Sequence, residues 1–419
     1  VADDKPAKGK VVLKKIQVAD LRLGMHIQEF CGSWMEHPFW RTNFVVDDPE
    51  DIRRVHESGI HELWIDVAKG VDVAGSQAAV SVEEAEQAVS DTLSAAAAGG
   101  DEPPAQVSMD EELKRAARVC AKSRQAVVSM FQEARMGKAI STEAAGEMVE
   151  EISSSVMRNP GALISLARLK DADDYTYMHS VAVCALMVAL GRQLGFGESE
   201  TREAGMAGLL HDLGKALSPS EVLNKPGKLT DAEFAIMKQH PVDGHRLLVE
   251  GSSVSDITLD VCLHHHEKMD GSGYPDRLPG DRITLFARMG AVCDVYDAIT
   301  SNRPYKAGWD PAESIRKMAE WCKGHFDERI FQAFVRSVGI YPIGSFVRLE
   351  SGRLGVVLEQ TDKSLLTPIV KVFFSAKSQT YIAPQVIDLG KPGAADRIIS
   401  REDPEKWGIK DVNRYWAAA

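Results

Sequence analysis

The chain has no run of about 18 uninterrupted apolar residues, the minimum for a membrane-spanning helix, although 44% of its 419 residues are apolar. The lysines near its start (Lys5, Lys8, Lys10, Lys14, Lys15) are not followed by the apolar stretch of a secretory signal. The expectation is a cytoplasmic protein with no membrane span. Cysteine is sparse: Cys31, Cys120, Cys184, Cys262, Cys293 and Cys322 are scattered, with no close pair at metal or redox spacing. That excludes a disulfide scaffold, suits a reducing compartment and makes them small apolar core residues. Positive charge is also short, since 49 Lys and Arg against 61 Asp and Glu leave a formal charge of -12. A duplex nucleic-acid surface is thereby disfavoured, because it needs a basic footprint that neutralises many phosphates. A small anionic ligand is not, since a few local cations or a bound metal pair can reverse the local potential.

The length suffices for two or three domains. Residues 11–70 mix short apolar runs, Val11-Val12-Leu13 and Glu62-Leu63-Trp64-Ile65, with a helical stretch near Asp48 to Ser58, and read as a small α+β domain. Residues 71–107 are rich in Ala, Gly, Ser and acids, with Gly99-Gly100 and Pro103-Pro104, and read as a flexible linker. Helical spacing returns at 108–159 as connecting helices, and 160–342 is nearly all helix, including Ala204 to Leu213, Asp231 to His240 and Ile283 to Ile299. Residues 343–419 change to alternating strands around a Ser351-Gly352 turn, a β-rich appendage. The fold class expected is mainly α, with a helical catalytic domain between these two smaller parts.

Seven of the twelve histidines fall between His179 and His266. One histidine alone means little, but three stand in a row (His264, His265, His266) and His211 is followed directly by Asp212. Imidazole suits a borderline transition metal, and a carboxylate has two oxygens with which to bridge two ions, so Asp212 is the bridging candidate. On a helix His211 and Asp212 would diverge by about 100° and still reach one metal pair. Lys215, three residues on, would share the face of Asp212 and could offset charge growing on a phosphate. After the histidine triplet, Gly271-Ser272-Gly273-Tyr274-Pro275 is a glycine-rich turn in which Gly271 and Gly273 can take backbone angles other residues avoid.

With these residues in view, the segment 160–340 resembles the HD-GYP family of cyclic di-GMP phosphodiesterases, a branch of the HD metal-dependent phosphohydrolases. His211-Asp212 and Gly273-Tyr274-Pro275 supply the name. Matching pieces include His179-Ser180, Lys225-Pro226-Gly227, His240-Pro241 with Gly244, His265-His266-Glu267, Asp294 with Asp297-Ala298, and Arg303-Pro304-Tyr305-Lys306. The resemblance implies metal ligands at His179, His211, Asp212, His240, His265, His266 and Asp294, phosphate contacts from Arg303 and Lys306, substrate contacts from Gly273, Tyr274 and Pro275, and an assisting role for Lys215. His245 and His264 have no matching position and read as structural. Residues 11–70, including Gly24-Met25 and Trp34 with His37-Pro38-Phe39, resemble the uncharacterised domain that often precedes this catalytic domain. They show no alternating pattern of a receiver domain.

One departure bears on the metal count. Family members that hold three metals have a glutamate four residues before the first histidine, and this chain has Tyr175 there. A phenol is a poor ligand for a third ion, and Asp173 and Asp174 stand at the wrong helical phase, so a binuclear site follows. The expected cofactors are two divalent transition-metal ions, iron or manganese favoured, with zinc or nickel compatible. The implied reaction is hydrolysis of cyclic di-GMP by metal-activated hydroxide to pGpG, with GMP as the product of a second cleavage. Two alternatives stand beside it: an HD phosphohydrolase acting on another nucleotide, and a non-catalytic cyclic di-GMP sensor or scaffold. A protein partner at the N-terminal domain and a homodimer are left open.

Overall fold

A computed structural model of the chain describes all residues except 1–11, 33–42, 74–78, 98–106, 170–174, 226, 228, 252, 303–307, 362–363, 395 and 418–419. The segment holding Trp34 and His37-Pro38-Phe39 therefore lies outside the described residues, as do Asp173 and Asp174. The chain divides into two compact units, Val1–Thr92 and Leu93–Ala419.

In the first unit β1 (Leu13–Gln17), β2 (His26–Cys31), β3 (Phe44–Val45), β4 (Glu62–Asp66) and β5 (Val80–Ser81) form one sheet in the order β3-β2-β4-β1-β5. All its pairings are antiparallel. Helix α1 (Pro49–Glu57) starts where the sequence signals it, with Asp48 as N-cap accepting from the Glu50 backbone at 2.9 Å and Pro49 at the first position. Ile16, Met25, Ile27, Leu63 and Ile65 form its core.

The expected linker is not wholly irregular. Val82–Ala97 forms helix α2, opened by Glu83 and Glu84 and continued by alanines. Alanine and glutamate stabilise helix by propensity alone, so weak apolar periodicity in this stretch did not exclude one. Gly99-Gly100 and Pro103-Pro104 lie outside the described residues.

The second unit is helical up to Val338: α3 (Met109–Arg135), α4 (Thr142–Arg158), α5 (Pro160–Arg168), α6 (Tyr175–Gln193), α7 (Glu198–Leu210), α8 (Ser220–Leu223), α9 (Asp231–Met237), α10 (His240–Gly251), α11 (Asp256–His264), α12 (Leu285–Thr300), α13 (Pro311–His325) and α14 (Glu328–Val338). Helix α6 is buried without interruption from Met178 to Gly191, and α12 from Met289 to Thr300. A helix apolar all round must be surrounded, so these two form the centre of the bundle and pack on each other. Cys184, Cys262, Cys293 and Cys322 are buried, as their apolar reading requires.

Two helix boundaries differ from expectation. The predicted helix over Asp231 to His240 is two helices: α9 ends at Met237, and His240 opens α10 with Pro241 in its first turn. Proline favours a helix start because its missing N–H is not needed there. The predicted helix through Leu213 stops at Leu210, and Leu213–Leu217 is a 3-10 turn.

The C-terminal strands β6 (Phe346–Leu349), β7 (Arg353–Glu359), β8 (Ile369–Ser375), β9 (Thr380–Asp388) and β10 (Ile398–Arg401) form an antiparallel sheet ordered β10-β6-β7-β8-β9. Gly352, at φ +83°, closes the β6–β7 hairpin. Alternation sends Phe346, Leu354 and Val356 to one face and Val347, Leu349 and Val357 to the other. A register shift between Val372 and Phe374 lets Phe373 and Phe374 both join the first face. That face belongs to the same core as α3 to α7, so the expected appendage is built into the bundle.

Candidate metal centre

Five chain segments deliver the site. The first turns of α6 carry His179; the turn after α7 carries His211 and Asp212; α10 begins at His240; His265 and His266 follow α11; and the middle of α12 carries Asp294. Ligand-type atoms of Asp212, His240, His265 and His266 lie within 4.8 Å of one another, and those of His179, His211 and Asp294 do likewise.

Two carboxylates connect the groups. Asp212 Oδ2 is 3.4 Å from both His179 Nε2 and His211 Nε2, while its Oδ1 is 3.1 Å from His240 Nε2 and 3.8 Å from His265 Nε2. Asp294 Oδ1 is 2.9 Å from His179 Nε2, and its Oδ2 is 3.7 Å from His266 Nδ1. Lys215 donates to Asp212 Oδ2. It reaches that oxygen from the 3-10 turn, not from the continuous helix expected.

The backbone sets the histidine tautomers. Nδ1 of His211 donates to the Gly208 carbonyl at 2.8 Å, that of His240 to Met237 at 2.7 Å, and that of His265 to Val261 at 3.0 Å. Each bond keeps a proton on Nδ1, so the Nε2 lone pair faces inward as metal binding requires. His179 Nδ1 donates instead to Asp297 Oδ2 at 2.6 Å, one turn along α12 from Asp294. The family resemblance includes Asp297 among its matching positions without implying a role for it. Its spacing of three from Asp294 on a buried helix was the available signal.

Burial and neighbouring imidazoles of His211 and His240 hold His265 down to about 3. Burial and His265 also hold His266 well below the usual imidazole range. Both are neutral donors at physiological pH. Burial would raise the Asp212 carboxyl, but Lys215 and the surrounding imidazoles pull it well below the carboxylate range; His179 and its neighbours do the same for Asp294. Burial pulls His179 down, yet bonds to Asp212, Asp294 and Asp297 raise it to about 10. The carboxylates thus demand positive charge at this spot, which a metal ion supplies in place of that proton.

The donor set fits a metal on a further ground. His211 Nε2, Asp212 Oδ1 and Asp294 Oδ2 are buried and satisfied by no hydrogen bond. Each such orphan costs about 1–3 kcal/mol. Three converging in one pocket are what a cation would satisfy.

The glycine-rich turn closes one side. Gly271 has φ +76°, as expected, but Gly273 does not need a left-handed backbone. Its requirement is space: a Cβ there would stand 2.4 Å from Glu267 Cα. Buried Glu267 secures the turn by accepting from the backbones of Asp276 at 2.7 Å and Leu278 at 3.0 Å. Tyr274 stacks on His266 with centroids 4.6 Å apart. Tyr175 stacks on His179 with rings 10° from parallel. His264 is turned to Asp260 and Asp276 at 2.7 and 3.1 Å, and His245 lies outside both groups. Arg303 and Lys306 lie outside the described residues.

Residues 155–330 match the HD domain family, and residues 13–145 match a domain of unknown function, DUF3391. The cyclic di-GMP phosphodiesterase PA4108 of Pseudomonas aeruginosa is 55% identical over 406 residues, covering 97% of this chain and 96% of that protein. The cyclic di-GMP phosphodiesterase response regulator RpfG of Xanthomonas campestris is 42% identical over 41% of this chain and 47% of its own length. The 3'3'-cGAMP-specific phosphodiesterase 1 of Vibrio cholerae is 36% identical over 45% of this chain and 42% of its own. Given a match of that identity along nearly all of both chains, this protein belongs to the HD-GYP family of cyclic di-GMP phosphodiesterases.

Proposed function

We propose that this chain hydrolyses cyclic di-GMP to pGpG at a site holding two divalent transition-metal ions, iron or manganese by preference. The observation that carries the reading is the pair of carboxylates, Asp212 and Asp294, each with one oxygen toward each imidazole group and one oxygen unsatisfied. In this reading His179, His211 and Asp294 hold one ion, His240, His265 and His266 hold the other, and Asp212 bridges. The ions supply, when bound, Lewis acidity and a lowered pKa for water.

The chain's own groups do the rest. Asp297 orients the His179 ring by taking its Nδ1 proton. The Gly208, Met237 and Val261 carbonyls orient three more rings. Lys215 keeps Asp212 ionised and places an ammonium where a scissile phosphate adds charge. Glu267 holds the Gly273-Tyr274-Pro275 turn against the site. The phosphate contacts proposed for Arg303 and Lys306 rest on the family resemblance.

Asp212→Ala or His211→Ala is expected to abolish hydrolysis and strip the metal while leaving the helical circular dichroism intact. Wild-type protein should carry close to two metals per chain by elemental analysis. Normal turnover with full metal occupancy in either variant contradicts the site, and cleavage of mononucleotides in preference to cyclic di-GMP contradicts the substrate.

A further inference from the structure

Helix α9 has no fully buried residue, yet its end is fixed firmly. At its start Thr230 Oγ1 accepts from the Glu233 backbone at 3.3 Å, and Glu233 accepts in return from the Thr230 backbone at 2.6 Å and from Lys225. This capping box satisfies donors that a short surface helix otherwise leaves open. At its other end the Met237 carbonyl holds His240 Nδ1. Lys238 and Gln239 lie between these two, and Lys238 directly follows the helix.

Lys238 is half-buried, with its ammonium 5.0 Å from the centre of the Phe234 ring and 6.0 Å from that of Tyr274. Tyr274 in turn stacks on His266. The cation is thus positioned by two aromatic faces, one ring beyond the histidine cluster. Among the described residues no carboxylate stands within salt-bridge distance of it, whereas nearby Lys215 and Lys225 are paired with Asp212 and Glu233. In a chain of formal charge -12, a fixed and unpaired ammonium beside an anion-processing site is available to a ligand.

We infer that Lys238 is a substrate-binding residue that holds a phosphate oxygen of the cyclic dinucleotide, on the phosphodiester not being cleaved; this rests on the phosphodiesterase reading above. A cyclic dinucleotide carries its two phosphates across a macrocycle, so with one at the histidine cluster the other is displaced sideways. Lysine suits that second group: its ammonium is a point charge with three rotatable donors, matched to phosphate and lacking the planar fork that reads a base edge.

The test uses the full-length, metal-loaded protein and two substrates, cyclic di-GMP and bis(p-nitrophenyl) phosphate, which has a single phosphate. Lys238→Met keeps a stem that packs on Phe234 and Tyr274 but removes the charge. Loss of one charge-assisted bond should raise KM for cyclic di-GMP roughly tenfold, with little change in kcat. The ratio of kcat/KM for cyclic di-GMP to that for the simple diester should fall by the same factor, and Lys238→Arg should restore most of it. A ratio unchanged within about twofold in Lys238→Met, a change well below the single-bond effect, overturns the inference, whether the two rates hold or fall together. Wild-type protein that cleaves the simple diester and not cyclic di-GMP overturns both this inference and the substrate reading; activity on cyclic di-GMP with an unchanged ratio overturns Lys238 alone.

Discussion

At the scale of single residues, the site depends as much on what holds each ring as on the rings themselves. Asp297 shows this, since its Oδ2 accepts the His179 Nδ1 proton while Ser301 Oγ donates to its other oxygen at 3.3 Å. Asp297→Asn should weaken metal affinity about 10- to 100-fold, the usual cost of losing such a partner, while the helical circular dichroism stays intact. Metal titration followed by rate measurements checks this, and wild-type affinity in the variant would remove Asp297 from the site. His211-Asp212 and the triplet His264-His265-His266 stand out in the sequence as adjacent residues, whereas His179, His240 and Asp294 stand singly and are implied only by the family resemblance. The role of Asp297 is not legible, because residue type and spacing mark what can bind an ion and not what can bind a ligand's second nitrogen. Tyr175 was legible as a departure, but not its flat stacking on His179, which depends on the two side chains' geometry.

Among elements, the decisive contact is between the 3-10 turn after α7 and the start of α10. A Cβ on Gly214 would stand 1.9 Å from the His240 carbonyl oxygen and 2.5 Å from the Gly244 nitrogen. Only glycine permits this approach, which brings His240 within 3.1 Å of Asp212. Gly214→Ala should push α10 outward, destabilise the fold by about 1–3 kcal/mol as overpacking does, and cut activity more than stability alone explains. Thermal melts and activity at a permissive temperature separate the two effects; an unchanged rate would show that α10 tolerates the shift. The existence of these helices could be read from apolar spacing, but not the break between α9 and α10. Periodicity runs through it, and Pro241 is the local marker of a new helix start, placed in the first turn of α10 directly after His240. Nor does spacing reveal a 3-10 turn, whose register is fixed by the close packing of Gly214 against α10.

For the catalytic unit as a whole, the C-terminal sheet completes the core instead of hanging from it. Phe346 and Phe373 are fully buried in the cluster that includes Leu163, Val181 and Leu209, and Tyr415 lies flat on Phe373 with centroids 3.6 Å apart. A chain ending after Ile340 should lose cooperative unfolding or melt more than about 10 °C lower, because each exposed large aromatic forfeits about 1.5–3 kcal/mol of burial. A truncated chain melting with the intact protein would return the sheet to the status of an attachment. The strands themselves were visible as alternation around Ser351-Gly352. Which face meets the helices was not, because both faces are apolar. The unsatisfied atoms of His211, Asp212 and Asp294 come from two segments far apart in sequence, the turn after α7 and the middle of α12. An ion satisfying them therefore fastens those segments as a rivet does, and free energy of ion uptake becomes free energy of folding. Scarcity of metal in its surroundings would then shorten the protein's lifetime against proteases as well as slow its chemistry, so that the second-messenger pool it drains responds to metal supply through abundance and turnover together.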